Sequence, residues 1–225
     1  MITKFSLHKN PFVGLFFKAN DNVVLVPKSL DHKFTQTIQD TLGATAVPLS
    51  VSQSDLLGIF VAMNSNGCVV PSFIEDDELA LLKKTGLNVA TIDSHQACGN
   101  SILCNDHAAV LHPTIAKPEA KKISDALGVE ALAHDLLSKI STVGAVNVVT
   151  NKGLLAYNEM PEVELKKLER LFKVKGNVGT CNMGVPFVGM GVVANSNGAL
   201  VGHATSGFEI SRIYEALFGD ESDGN

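Results

Sequence analysis

Gly58-Ile-Phe-Val-Ala-Met-Asn64-Ser-Asn-Gly67-Cys-Val-Val-Pro71 reads as a strand, a tight turn and a returning strand. Its frame is a Gly, five mostly apolar residues, an Asn, two polar residues, a Gly, three apolar residues and a Pro. The frame fits four more stretches: Gly14…Asn20-Asp-Asn-Val23…Pro27, Gly99…Asn105-Asp-His-Ala108…His112, Gly144…Thr150-Asn-Lys-Gly153…Tyr157 and Gly189…Asn195-Ser-Asn-Gly198…Gly202. The leading glycines are separated by 44, 41, 45 and 45 residues. Five in-register matches at a period of this size identify an array of structural repeats.

Each part of the frame has a physical reading. Leu15-Phe-Phe and Ile59-Phe-Val are β-rich and too short for a helix, so the five-residue run reads as a buried strand that the glycine opens. Asn-Ser-Asn-Gly and Asn-Lys-Gly are hairpin turns, because Asn and Gly accept positive φ at little cost. The turn residues Asn20, Asn64, Asn105 and Asn195 are therefore read as geometry, and Asn64→Ala is expected to cost only slight stability. Val23-Val-Leu-Val, Cys68-Val-Val and Ala199-Leu-Val are the returning strands, ended by Pro or a small residue. A glycine at a fixed position in every unit marks close backbone approach, so the five units are expected to converge on a common axis.

Between hairpins the chain carries a helix and a third strand. Ser29–Leu42 is helical with Gly43 as its stop, and Ala44–Val51 follows as a strand. The second helix opens on Glu75-Asp-Asp-Glu78, closes on Lys83-Lys84, as the helix dipole favours, and stops at Gly86 before the strand Leu87–Ile92. Pro118 and Gly128 bracket the third helix, Val129 begins a strand, and His134-Asp-Leu-Leu is read as a helical turn. The fourth helix starts at Pro161 with an apolar stripe of Val163, Leu165, Leu168, Leu171 and Phe172, and Val174–Val178 is the strand after it. The fifth runs from Gly207 to Phe218 and no strand follows. The spare strand is Ile2–Leu7, which is expected to complete the last unit and close the ring. One domain over 1–219 results, with units starting near 11, 55, 96, 141 and 186, followed by a short acidic disordered tail over 220–225.

Composition narrows the function. With 225 residues, 45% of them hydrophobic, the chain has material for a sizeable core. Its four Cys form no CxxC pair, so neither a zinc site nor a disulfide framework is indicated, and the thiols read as small buried side chains. The N-terminus lacks a signal-peptide core and no apolar run approaches the ~20 residues of a membrane span. A cytoplasmic protein without membrane contact is expected. The net charge is −5 and Lys and Arg are scattered, so little direct RNA binding is expected and a basic protein partner fits better.

The residue after each leading glycine is not dictated by the frame: Leu15, Ile59, Asn100, Ala145 and Met190 share no residue type. On a ring whose glycines face the axis they lie together at one end, a natural docking rim with Asn100 as its polar member.

A five-fold ring of ββαβ units resembles the pentein superfamily, an α/β five-bladed α-β propeller. That superfamily holds guanidine-modifying enzymes and the translation initiation factor 6 family of ribosome anti-association factors. Gly99-Asn-Ser-Ile-Leu-Cys-Asn-Asp-His-Ala-Ala-Val-Leu-His-Pro113 closely resembles the latter's Gly-Asn-x-x-x-Cys-Asn-Asp…His-Pro segment, and so do Asn66-Gly-Cys-Val-Val-Pro71 and Ala194-Asn-Ser-Asn-Gly198. The resemblance runs from about Met1 to Phe218. The chain stops at Asn225, without the longer tail of eukaryotic members, which fits the archaeal form. The resemblance implies a monomer that binds the large ribosomal subunit, chiefly ribosomal protein uL14 beside the sarcin–ricin loop, and keeps the small subunit away. It implies release by a translocase-like GTPase with its assembly partner, and no cofactor. It puts Asn100 and the place of Ile59 at the contact, although the family carries a basic residue where this chain has Ile59; taken with the rim, the ribosome-binding candidates are Asn100, Ile59, Leu15, Ala145, Val146 and Met190.

The alternative is a guanidine-modifying hydrolase or amidinotransferase using Cys and His. Such sites need a Cys nucleophile close to the C-terminus and a His beside a carboxylate. Here the last Cys, Cys181, precedes the whole fifth unit, and His112 and His203 lack a His-x-Asp/Glu context. Asp106-His107 lies at a turn tip, where turn chemistry explains it. The chain is read as a binding protein, not an enzyme.

Overall fold

The central strand of every sheet is buried along its whole length, and that explains its unbroken apolar sequence. These strands are Val23–Pro27, Gly67–Pro71, Ala108–Leu111, Gly153–Tyr157 and Ala199–Gly202. The computed structural model describes residues 1–93, 97–115, 117–133 and 142–219. Within them the strands form five three-stranded sheets. In each, the central strand pairs antiparallel with a short preceding strand and parallel with a third strand, which in four of the sheets follows a helix and in the fifth is the N-terminal strand. In the second unit Ala62–Met63 pairs with Cys68–Val69, and Gly67–Pro71 runs in register with Asn88–Ile92. The helices are α1 (His32–Leu42), α2 (Asp76–Lys83), α3 (Lys117–Leu127), α4 (Glu162–Phe172) and α5 (Gly207–Phe218).

A strand buried on both faces carries no alternation. Val24 and Val26 pack into a cluster with Leu200 and Phe5, whereas Val23 and Leu25 pack into another with Leu57 and Val70. The core is thus divided into five clusters, one between each unit and the next. The cluster joining the fifth unit to the first holds Phe5, Leu7 and Leu200 beside Phe17, Val24 and Ile38. The N-terminal strand makes this junction: Ile2–Phe5 runs parallel to Ala199–Gly202 and is the third strand of the last sheet.

Several sequence expectations change in detail. The leading glycine does not open a strand. It sits in a short helical turn, and only two or three residues after the turn are strand, as at Lys18–Ala19 and Ile102–Cys104. α1 begins at His32, because Asp31 caps it by accepting from Lys33 N at 3.0 Å. Gly43 ends it in the left-handed region (φ 57), as expected. α4 ends the same way on Lys173 (φ 55), with no glycine to announce it, and its Val163 is 68% exposed, outside the buried stripe of Leu165, Leu168 and Phe172. Ala44–Val51 narrows to Thr45–Leu49, and Val174–Val178 shifts to Lys175–Gly179. The readings of His134–Leu137 as helical and of 220–225 as a disordered tail fall outside the described residues.

Candidate docking face at the glycine end

Five helical turns, Val13–Leu15, Leu57–Phe60, Cys98–Ser101, Val143–Val146 and Val188–Gly191, touch one another in a closed cycle. Each contains one leading glycine. A methyl group on Gly14 would overlap the carbonyl oxygen of Gly189, and one on Gly189 that of Gly144. The relation continues from Gly144 to Gly99, from Gly99 to Gly58 and from Gly58 back to Gly14. Only a residue without Cβ lets five backbones approach this closely.

This geometry sets what the rim presents. Leu15, Ile59, Asn100 and Met190 are half-buried at the cycle, and the Asn100 side chain meets no partner among the described residues. Ala145 and Val146, named with them from the sequence, are 6% and 1% exposed, so their side chains offer a partner little area. Sequence reasoning missed the large apolar side chains around the cycle. Phe60 stacks edge-on against Phe73 at 5.6 Å, and Phe73, Met183 and Phe187 are 52%, 77% and 42% exposed. Nothing in the repeat frame separates these outward residues from core.

Hairpin turns lead the chain into these helical turns, at Leu7–Asn10, Val51–Ser54 and Cys181–Val185. Their tips are left-handed at non-glycine residues: His8 (φ 51), Lys9 (φ 65), Ser52 (φ 50), Gln53 (φ 62), Asn182 (φ 48) and Met183 (φ 66). Two of the tips are held by a buried glutamate, the third residue of the next helix. Glu78 accepts from Ser52 N at 2.6 Å, Gln53 N at 3.0 Å and Ser50 Oγ at 2.6 Å. Glu209 accepts from Gly184 N at 2.8 Å, Met183 N at 3.2 Å, Thr180 Oγ1 at 2.9 Å and Ser206 N at 2.7 Å. Burial pushes both carboxyls up, but these donors outweigh it. Glu78 ends below the usual carboxylate range and Glu209 falls to about 2.

The opposite end is closed by the turn asparagines. Asn195 Nδ2 donates to Asn20 O at 2.9 Å, Asn20 Nδ2 to Asn64 O at 2.7 Å, Asn64 Nδ2 to Asn105 O at 3.1 Å and Asn105 Nδ2 to Thr150 O at 3.1 Å. Each Oδ1 also accepts two backbone N–H groups of its own turn, as Asn64 does from Asn66 and Gly67, both at 3.0 Å. These residues are 2–6% exposed, so they join units and are not available for recognition.

The enzyme candidates sit in unreactive settings. Burial pushes the Cys68, Cys98 and Cys181 thiols up to about 12 and Cys104 to about 11, so none supplies thiolate at neutral pH. His112 is buried and its Nδ1 accepts from Thr114 N at 3.1 Å, while His203 is exposed. The Asp106 carboxylate accepts from Ser65 N at 2.8 Å and Asn151 Nδ2 at 2.7 Å. The axial cavity, lined by Lys18, Met63, Cys104 and Asn147 among others, has about 50 Å³, room for water and not for a metabolite. Among the described residues no helix is long and apolar enough to cross a membrane, and no group of three metal-ligating side chains comes together.

A model of the eIF-6 family matches residues 2–216. Translation initiation factor 6 of Saccharolobus islandicus (strain L.S.2.15 / Lassen #1) is 39% identical over 219 residues, covering 96% of this chain and 98% of the relative. The proteins of that name from Pyrococcus horikoshii and Thermococcus onnurineus are 39% and 41% identical over 223 and 224 residues. Each covers 96% of this chain, and the alignments take in 98% and 97% of those relatives.

Proposed function

The chain belongs to the eIF-6 family, and from that premise we propose that it is a translation initiation factor whose glycine end docks on the large ribosomal subunit. Occupying that surface keeps the small subunit from joining. The five mutually packed units are read here as the blades of a pentein-type propeller, a rigid body wide enough to act by obstruction alone. No chemistry and no cofactor are needed.

The observation that carries this reading is the apolar character of one end. Ile59, Phe60, Phe73, Met183 and Phe187 surround the glycine cycle partly or largely exposed, and among them lies the Asn100 amide, which meets no partner among the described residues. Contiguous apolar surface rimmed by polar groups marks an interaction site. The net charge of −5 favours a protein component of the subunit over rRNA phosphates. Ribosomal protein uL14 beside the sarcin–ricin loop is the assigned contact, and release falls to a translocase-like GTPase and its assembly partner. The protein acts as a monomer in the cytoplasm. The pentein-hydrolase alternative is disfavoured by four thiols that burial keeps protonated.

A sedimentation profile of ribosomal subunits tests the proposal. Added protein should co-migrate with the large subunit, and the joined-ribosome peak should fall. An unchanged profile with the protein left at the top of the gradient would refute it.

A further inference from the structure

The repeat breaks at one helix position, and a turn changes with it. The third residue of α2, α3, α4 and α5 is Glu78, Glu119, Glu164 and Glu209, whereas in α1 it is Phe34. Glu78 and Glu209 each fill a left-handed hairpin tip with a carboxylate that accepts two successive backbone N–H groups. The corresponding turn of the first unit is Leu7-His8-Lys9-Asn10, with the same bridge and the same left-handed pair as Val51-Ser52-Gln53-Ser54. Its His8 and Lys9 N–H groups meet no acceptor among the described residues. Phe34 has no carboxylate to offer and stacks edge-on against Phe5 at 5.3 Å.

The surroundings change sign as well. The first turn of α1 carries no acidic residue and reads His32-Lys33, whereas α2 opens on Asp76, Asp77 and Glu78. The N-cap of α1, Asp31, is paired with Lys33 at 2.8 Å. Both tip side chains, His8 and Lys9, are exposed. Successive N–H groups in a turn form a concavity for an oxyanion. In the sister turns that concavity is filled internally. Here it is open and flanked by basic side chains.

We propose that the His8–Lys9 turn is an anion-binding site that receives a carboxylate from a partner protein, in the place that Glu78 and Glu209 take in the sister turns. Those turns show the concavity matched to a carboxylate, with oxygens 2.6 and 3.0 Å from successive nitrogens. The chain's overall negative charge argues against a phosphate backbone as the occupant. The site deepens the docking reading, since the tip leads directly into the helical turn Val13–Leu15, and it adds a polar contact to an otherwise apolar end.

The direct test is an amide-resonance titration of the ¹⁵N-labelled full chain with sodium acetate at constant ionic strength. The His8 and Lys9 amides should shift saturably, while those of Ser52, Gln53, Met183 and Gly184, already occupied, stay in place. Phe34→Glu should abolish the response by filling the turn from within. Phe34→Gln, of similar shape but uncharged, should retain it. If His8 and Lys9 do not move, or move no more than Ser52 and Gln53, the site is refuted. If inorganic phosphate saturates the shift and acetate does not, the assignment to a protein carboxylate is overturned. In co-sedimentation with large subunits, Phe34→Glu should weaken binding about tenfold relative to Phe34→Gln. Equal binding by the two variants, with an intact acetate response, would mean that the site does not serve the subunit contact. Failure of the wild type to co-sediment would refute the docking function and leave the acetate result to decide the anion site.

Discussion

Replacing Asn64 by Ala should cost far more than its place in a hairpin turn implies. Asn64 is 3% exposed and its side chain makes four hydrogen bonds. Nδ2 donates to Asn105 O at 3.1 Å and to Leu127 O at 2.8 Å, each in the next unit. Oδ1 accepts from Asn66 N and Gly67 N, both at 3.0 Å. Alanine removes all four. Leu127 O keeps a donor in Asn66 Nδ2 at 3.1 Å, and Asn66 N lies where water can reach it. Asn105 O and Gly67 N remain buried without a partner. At roughly 1–3 kcal/mol for each orphaned group, the loss is about 3 kcal/mol. For a chain of this size that corresponds to a fall of about 6–12 °C in Tm. Thr150 occupies the same position in the fourth unit, accepting from Lys152 N and Gly153 N at 3.1 Å through its hydroxyl. Asn64→Thr should therefore keep the turn and lose only the bonds to the next unit, at about 1–2 kcal/mol. Urea unfolding followed by circular dichroism, with thermal melts, measures both. The reasoning is refuted if Asn64→Ala unfolds within about 1 kcal/mol of the wild type, or if threonine is as damaging as alanine.

Four further outcomes are expected. Phe5→Ala should destabilise by roughly 3–5 kcal/mol, because Phe5 packs edge-on against Phe17 and Phe34 at the junction of the fifth and first units; a melt matching the wild type would show that the N-terminal strand does not hold that junction. The carboxyl of Glu209 is depressed in the fold from 4.5 to about 2, so its contribution is present above pH 4.5 and drains away as pH falls toward 2. Glu209→Gln should flatten stability over that window, at a cost on the order of 2 kcal/mol at pH 7, and an unchanged acid profile would argue against this assignment. Asn100→Ala should weaken co-sedimentation with large subunits by roughly ten- to a hundredfold without shifting the melt, whereas Asn64→Ala, where folded, should bind normally; the reverse pattern would place docking at the other end. Cys181→Ser and His203→Ala should leave subunit binding intact, and release of ammonia or urea from arginine derivatives by the wild type would contradict the binding-protein reading.

The repeat, the five hairpins, the close approach of five glycines and the place of the N-terminal strand were all legible in the sequence. Each is enforced by a local rule that leaves a residue signature: turns that need Asn or Gly, backbones too close for a Cβ, strands buried on both faces. The family was legible through the resemblance of Gly99…Cys104-Asn-Asp106…His112-Pro113 to that family's own segment. Three features were settled only by the tertiary structure. The leading glycines lie in helical turns and not in strands, because a ring of mutual contacts, not β-propensity, sets the backbone there. The turn asparagines join one unit to the next, which no single turn reveals. The left-handed tips at His8–Lys9 and Ser52–Gln53 carry neither Gly nor Asn to announce them. Glu78 holds one of these tips from 25 residues away in the chain, whereas the N–H groups of His8 and Lys9 meet no acceptor among the described residues. Such pairings depend on which elements meet across a unit boundary, a long-range relation that local sequence does not encode.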